Sequence, residues 1–318
     1  MPLLYLTEDD VRQVLTMEMA LEAVEIGLKK VAIDEAVNVP RTRCQTDHSI
    51  LHVLSAAGKT LGFLGFKAYV TNRRGNRFHF HLYDGKTGEH VSWMQADHLG
   101  QVRTGAASGV ATKHLARPDA ATVGIFGSGK QARTQIIAMC KVRSITRIHV
   151  FSPNEERRKN FATEMTELCK VDVVPVSTPE EAARNMDIVI TATSARDPVL
   201  QGDWIGQGTH LNIIGSNFLG KAEVDRATVR KSQRIVVDSK DQARLEAGDL
   251  MPAVEEGQVH WADVHELGQI VAGRFVGREN PQQITLFKSL GIGIEDVATA
   301  ARVYAKAKEA GIGKILDV

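Results

Sequence analysis

Ala121-Thr122-Val123-Gly124-Ile125-Phe126-Gly127-Ser128-Gly129-Lys130-Gln131-Ala132 is the stretch that decides the fold. Residues 122–126 read as a buried β-strand, and a helix opens near Lys130. Between them, Gly127 and Gly129 permit a tight turn and close approach of backbone to a pyrophosphate, while Ala132 lets the helix pack on the strand. Ser128, Lys130 and Gln131 complete the turn, and the free N–H groups of the helix N-terminus attract the phosphates. The segment predicts a Rossmann unit that binds a nicotinamide dinucleotide.

Downstream, strand-like and helix-like segments alternate: a strand at 147–151, a helix from about Asn154, a strand at 171–176, a helix around 179–186, then strands at 188–191, 211–214 and 235–238. Such alternation means a doubly wound parallel sheet. A carboxylate at the end of the second strand selects NAD, whereas a cation there accepts the 2′-phosphate of NADP. This chain places Ser152-Pro153-Asn154 at that point, with Arg157 and Arg158 a turn away, so NAD and NADP both remain candidates.

Upstream of the turn the pattern changes. Thr7 followed by Glu8, Asp9 and Asp10 reads as the N-cap and acidic first turn of an opening helix, and Leu21, Val24, Leu28 and Val31 continue as a second. Short apolar segments at 50–55, 61–70, 78–83 and 90–94, broken by Gly58, Gly75 and Asp84-Gly85-Lys86-Thr87-Gly88, read as antiparallel strands. An Ala- and Gly-rich helix at 97–115 follows, stopped by Pro118. A last helix at 294–310 is expected to return to the first part. The expected domains are residues 1–117 with 293–318, an α+β unit, and residues 118–292, the Rossmann unit.

Charge and cysteine usage narrow the partners. The 318 residues carry 39 basic and 38 acidic side chains with no long run of one sign, which points to a small molecule and away from nucleic acid or membrane. Cys44, Cys140 and Cys169 are far apart in sequence and odd in number, a pattern that suits neither a disulfide framework nor a metal site. No metal is expected, and a reducing cytoplasm is the expected location. The first residues turn acidic before reaching signal-peptide length, and no apolar run approaches the roughly 18–20 residues needed to cross a bilayer.

Seven segments together resemble the ornithine cyclodeaminase and mu-crystallin family, which also holds alanine dehydrogenases, ketimine and pyrroline-2-carboxylate reductases and an iminosuccinate reductase. They are Val39-Pro40-Arg41, Gly65-Phe66-Lys67, Tyr83-Asp84 with Thr87-Gly88-Glu89, Arg103-Thr104-Gly105-Ala106, Gly127–Ala132, Glu246-Ala247-Gly248-Asp249-Leu250 and Ile284-Thr285-Leu286-Phe287-Lys288-Ser289. The resemblance implies a substrate and dimerisation domain, a homodimer, and a cage of cations, Arg41, Lys67 and Arg103, around a substrate carboxylate. Arginine clasps a planar carboxylate in a fork and so fixes the neighbouring carbon for hydride transfer. Lys67, with a pKa lowered by burial, would donate a proton or polarise the imine, which makes it the catalytic candidate. The expected cofactor-binding set is Thr104, Gly127, Ser128, Gly129, Lys130, Gln131, Ala132, Ser152, Arg157, Thr193, Gly215 and Gly291.

Two departures from the family's pattern bear on the substrate. Cyclodeaminases of the family carry an aspartate where this chain reads Gly215-Ser216-Asn217, and an asparagine bonds an amine but takes no proton from it. That disfavours ornithine cyclisation, and amino-acid oxidation as well. The second departure is Gly75-Asn76-Arg77-Phe78-His79-Phe80-His81, whose His79 and His81 share one strand face. With Arg43 and Arg77 they would add positive charge for a dicarboxylate; otherwise these are strand-end residues that touch no ligand. The expected substrate-binding set is thus Arg41, Lys67, Arg103, Asn217 and His79. The expected activity is NADH- or NADPH-dependent reduction of a small imino acid, such as iminosuccinate or a cyclic ketimine. Ornithine cyclodeaminase, alanine dehydrogenase and a crystallin-like protein without turnover are the alternatives.

Overall fold

The computed structural model describes residues 2–317. The chain begins with β1 (Pro2–Leu6), α1 (Glu8–Val14), α2 (Met17–Ala32), β2 (Ala36–Asn38), β3 (Thr42–Gln45), β4 (Ile50–Gly58), β5 (Phe63–Asn72), β6 (Gly75–Asp84), β7 (His90–Gln95) and α3 (Asp97–Leu115). Then come β8 (Thr122–Phe126), α4 (Lys130–Val142), β9 (Arg147–Phe151), α5 (Glu155–Cys169), β10 (Asp172–Pro175), β11 (Ile188–Thr191), β12 (His210–Ile213), α6 (Arg226–Lys231), β13 (Arg234–Val237), α7 (Lys240–Glu246), α8 (Met251–Glu255), β14 (His265–Glu266), α9 (Leu267–Val271) and β15 (Thr285–Lys288). The chain closes with α10 (Gly293–Ala310) and β16 (Lys314–Asp317). Two compact units result, Met1–Ala107 with Gly291–Val318, and Ser108–Leu290. The sequence reading put the first boundary after α3, at 117/118; the observed division falls inside that helix.

The first unit is built on a mixed sheet of order β16-β1-β7-β6-β5-β4-β2, with β3 also paired to β4. In β4 to β7 the register sets Leu54, Lys67, Phe80 and Met94 side by side on one face. All four are buried. That face is covered by α10, which also packs on α2. The wholly buried Ile294, Val297 and Val303 of α10 each contribute about 1.5–3 kcal/mol of hydrophobic stabilisation.

The second unit is a parallel eight-stranded sheet of order β10-β9-β8-β11-β12-β15-β13-β14. The chain leaves β8 first to one side and later to the other, which puts the β8–α4 turn at the topological switch point of a Rossmann sheet. Apolar strands such as Ile188-Val189-Ile190 and helical residues such as Ala243 and Leu250 form its core.

Some elements differ from the sequence reading. The chain opens on strand β1, not on a helix, because Leu3, Leu4 and Leu6 are buried in a sheet whose partners, β7 and β16, lie far away in sequence. The helix expected at 179–186 is a single 3-10 turn, Glu180–Ala182, followed by Asn185 with a left-handed φ of 60° that no helix continues. Tertiary structure also brings two of the three cysteines together. The thiols of Cys140 and Cys169 hydrogen-bond, which pushes Cys140 up and Cys169 down from the usual thiol range. Among the described residues, no helix is long and apolar enough to cross a membrane.

Candidate functional site

Each unit carries part of the expected site. In the first unit, α10 begins with Glu295 and Asp296 at its positive end, where carboxylates are favoured, and the side-chain oxygen of Asn38 accepts from the Ile294 N–H at 3.0 Å. Both carboxylates are wholly buried. Arg103 of α3 spans them, with Nη1 2.7 Å from Glu295 and Nε 2.9 Å from Asp296. Lys67 Nζ donates to Asp296 at 2.7 Å. Arg41, also buried, donates from Nη2 to the carbonyl of Gly291 at 2.9 Å.

This cluster brings together the three cations expected from the sequence and sets their chemistry. Burial, then the positive charge of Arg103, draws the Lys67 ammonium down from its ordinary 10.5 to about 7, against the pull of Asp296; Arg41 lowers it further. A lysine poised near neutrality exchanges a proton readily at ordinary pH. Glu295 and Asp296 were not singled out from the sequence, although two acidic residues at a helix start facing a buried strand lysine are the signal that finds them.

Gly291 and Thr104, expected to contact the dinucleotide, lie in the first unit. Gly291 has φ +73°, and a Cβ there would sit 2.4 Å from Arg103 Nη1. Its carbonyl holds Arg41, so the glycine serves the cation cluster. Thr104 Oγ1 donates to the Gly100 carbonyl one turn back in α3.

His79 is not brought to the cluster. Lys67 pairs with Phe80, so His79, paired with Ala68, projects from the opposite face of the sheet. There its Nδ1 lies 3.2 Å from Trp93 Nε1, and His81 lies 3.2 Å from His90. Arg77, paired with Val70, is on that same outer face. Among the described residues, no group of three or more His, Cys, Asp or Glu is arranged to hold a metal.

In the second unit, the turn after β8 has the expected form. Gly127 adopts φ +110°, and a Cβ there would stand 2.4 Å from the Ala192 carbonyl oxygen. Gly129 is the N-cap of α4, and a Cβ added to it meets no atom within 4 Å, which leaves room for a phosphate to approach. Ala132 is wholly buried against the sheet. Ser128 and Ser152 hydroxyls are 3.0 Å apart, and Arg158, not Arg157, docks on the Ser152 carbonyl at 2.6 Å. The Arg157 side chain is exposed on α5. A Gly127→Ala enzyme is expected to bind NADH or NADPH at least tenfold more weakly in a fluorescence titration. The added methyl meets backbone, and the positive φ costs a non-glycine residue of order 1 kcal/mol or more.

Thr193 and Gly215 are held by Glu223, a residue the sequence reading passed over. Its buried carboxylate accepts from Thr193 N and Oγ1 at 2.7 Å, from Thr191 Oγ1 at 2.8 Å and from Gly215 N at 2.6 Å. Burial raises the Glu223 carboxyl from its usual range, opposed by Lys288. Lys288 bridges Asp249 at 2.7 Å and the Ser216 carbonyl at 2.6 Å, which fixes the loop carrying Asn217.

Comparison with known proteins places this geometry. The sequence profile of the ornithine cyclodeaminase/mu-crystallin family matches residues 3–311. The Thermococcus litoralis Δ1-pyrroline-2-carboxylate reductase in complex with NADH and L-proline is 36% identical, with 99% of this chain and 100% of that chain covered and a TM-score of 0.94. An archaeal alanine dehydrogenase dimer with bound NAD is 31% identical, with 100% and 99% covered and a TM-score of 0.94. The iminosuccinate reductase of Paracoccus denitrificans in complex with NAD+ is 25% identical over the whole of both chains, again with a TM-score of 0.94.

Proposed function

Since the chain belongs to the ornithine cyclodeaminase/mu-crystallin family, we propose that it reduces the C=N bond of a small imino acid to an L-amino acid with NADH or NADPH. It is an NAD(P)-dependent oxidoreductase of the class acting on C=N or CH–NH2 groups. The observation that carries the reading is the buried lysine near neutrality among two arginines and two carboxylates in the first unit.

The glycine turn, with its open N-terminus at α4, fits a dinucleotide pyrophosphate. Bound there, the reduced nicotinamide supplies the hydride that the imine carbon accepts. Arg41 and Arg103 clasp the substrate carboxylate and fix the adjacent carbon. As that carbon takes the hydride, the electron pair of the C=N bond takes a proton from the Lys67 ammonium. The products are an amine and a neutral Lys67, stabilised in that form by its burial.

Asn217 supports reduction over deamination, because an amide cannot take the proton that attack by an amine requires. The test mixes oxaloacetate or pyruvate with ammonia, or supplies pyrroline-2-carboxylate, and follows NADH and NADPH absorbance. Consumption with one of these imines is expected. Fluorescence-detected binding without consumption would instead support the crystallin-like alternative, and proline formation from ornithine a cyclodeaminase. The assembly we propose is a homodimer, as the archaeal alanine dehydrogenase is; sedimentation as a single chain would overturn it.

A further inference from the structure

Three turns meet at one edge of the second unit's sheet. Phe126, Thr191 and Ile213 are register partners at the ends of β8, β11 and β12, and the chain runs on from them through Gly127, Thr193 and Gly215. The turn after β11 abuts the glycine turn. The Ala192 N–H donates to the Phe126 carbonyl at 2.9 Å, and a Cβ on Gly127 would stand 3.6 Å from Thr193 Cγ2. In a parallel sheet of this order, the crevice outside the carboxyl ends of the strands is where the ligand lies.

Glu223 reaches this edge from a backbone held on both sides. Its carbonyl accepts from the N–H groups of Val199 and Leu200 at 2.8 and 3.1 Å, and its own N–H donates to Asp249 Oδ1 at 2.5 Å. Asp249 is fixed in turn by Lys288 at 2.7 Å. The Glu223 side chain is wholly buried and uses each oxygen twice: Oε1 accepts from Thr193 N and Oγ1, and Oε2 from Thr191 Oγ1 and Gly215 N. Thr193 Oγ1 also accepts from the Ala195 N–H at 3.1 Å, so one carboxyl group organises residues 191–195 and ties them to Gly215. The fit there is close. A Cβ on Gly215 would lie 2.3 Å from Glu223 Oε1 and 2.3 Å from the Thr193 carbonyl oxygen.

Burying a carboxyl group costs free energy that only full hydrogen bonding offsets, and an apolar side chain would fill the same space at lower cost. What the carboxyl group adds is direction. Each of its oxygens meets one backbone N–H, a donor whose aim is set by the chain and cannot be reversed as a hydroxyl's can.

We infer that Glu223 is a positioning residue for the dinucleotide: by tying the turn after β11 to the turn after β12, it holds both in the shape that receives the cofactor beside Gly127. Wholly buried, Glu223 acts through Thr193 and Gly215. Its cofactor role rests on the dinucleotide reading of the glycine turn and is independent of which imine is reduced.

Glu223→Gln keeps the shape of the side chain and replaces one oxygen by an NH2 group, which has two donors and no acceptor. In either orientation of the amide, that group faces a backbone N–H, of Thr193 or of Gly215. Hydrogen exchange of the cofactor-free protein, followed by mass spectrometry, is expected to speed by at least about tenfold in segments 191–195 and 214–217, with β9 and β10 unchanged. Fluorescence titration should show NADH and NADPH bound about 10–100-fold more weakly, the loss that follows when buried donors are left unpaired. Thr191→Val removes a wholly buried hydroxyl from the same carboxyl group. It should act in the same sense, by about three- to tenfold, and stands in if Glu223→Gln does not fold.

A carboxyl group that serves stability alone would lower the unfolding midpoint and speed exchange throughout the sheet, yet leave the dissociation constant of the folded molecules as in the wild type. That result, or unchanged exchange in the two turns, would overturn the positioning role. Failure of the wider reading looks different. A wild-type protein that binds neither NADH nor NADPH removes the dinucleotide, and the role of Glu223 with it. Wild-type binding that Gly127→Ala weakens and Glu223→Gln does not keeps the dinucleotide and removes Glu223 alone.

Discussion

A Lys67→Met enzyme is expected to lose about 10²–10⁴-fold in kcat/KM for imine reduction while binding NADH or NADPH as the wild type does. Methionine keeps the length of the buried side chain and removes the ammonium, so the proton donor disappears with little change of packing. The pH dependence gives a sharper signature. With Lys67 at about 7 in the free enzyme, the protonated, reducing form predominates below that pH. In the reductive direction kcat/KM should fall above pH 7, approaching tenfold per unit, since that parameter reports groups of the free enzyme. In the oxidative direction the same group must be neutral, so kcat/KM should rise over the same range. The Lys67→Met variant should lack this limb. An alkaline limb that persists unchanged in the variant would remove Lys67 from the proton transfer.

Arg103→Ala is expected to cost both stability and activity, for separable reasons. Arg103 is 6% exposed and bonds two carboxylates that are wholly buried. Removing it takes the Arg103 guanidinium from both Glu295 and Asp296, and breaking a buried pair in this way costs about 3–5 kcal/mol. Chemical unfolding should show that loss. The triple replacement Arg103→Leu, Glu295→Gln, Asp296→Asn removes the charges together, and most of the stability should return, since apolar or neutral groups replace a buried ionic network at little cost. Activity should not return, because the fork that clasps the substrate carboxylate is still missing. If the triple variant recovered turnover along with stability, Arg103 would be a structural residue only.

Local chemistry was legible in the sequence wherever function depends on the backbone of a short segment. Gly127, Gly129 and Ala132 identify the dinucleotide turn because its demands, a positive φ, an unobstructed approach and a close helix contact, are met within six residues. Helix starts at Thr7 and Asn154 were equally plain, since each cap accepts from a backbone N–H three residues on. The alternation of strands and helices after residue 121 was enough to indicate a parallel sheet.

Long-range pairing was not legible in the same way. Strand β1 finds its partners at residues 92–94 and 314–317, and no local pattern announces them. The register of β5 against β6 decides that Lys67 faces inward while His79 faces outward; a shift of one residue would have paired the two and put them on the same face. Gly291 and Thr104 illustrate the same limit, since no local pattern announces that residues nearly 190 positions apart belong to one unit.

By itself, then, the sequence determined the glycine turn and the order of the elements after it, because each of these depends on residue type and near neighbours, whereas Arg41, Lys67 and Arg103 were singled out by the family resemblance. Only the tertiary structure decided that Glu295 and Asp296, more than 190 residues from Arg103 and more than 220 from Lys67, hold those two cations, and that burial and the charge of Arg103 bring Lys67 down to about 7 against the pull of Asp296. The reason is physical: a pKa is set by burial and by whichever charges fold around the group, and neither belongs to any segment of the chain alone.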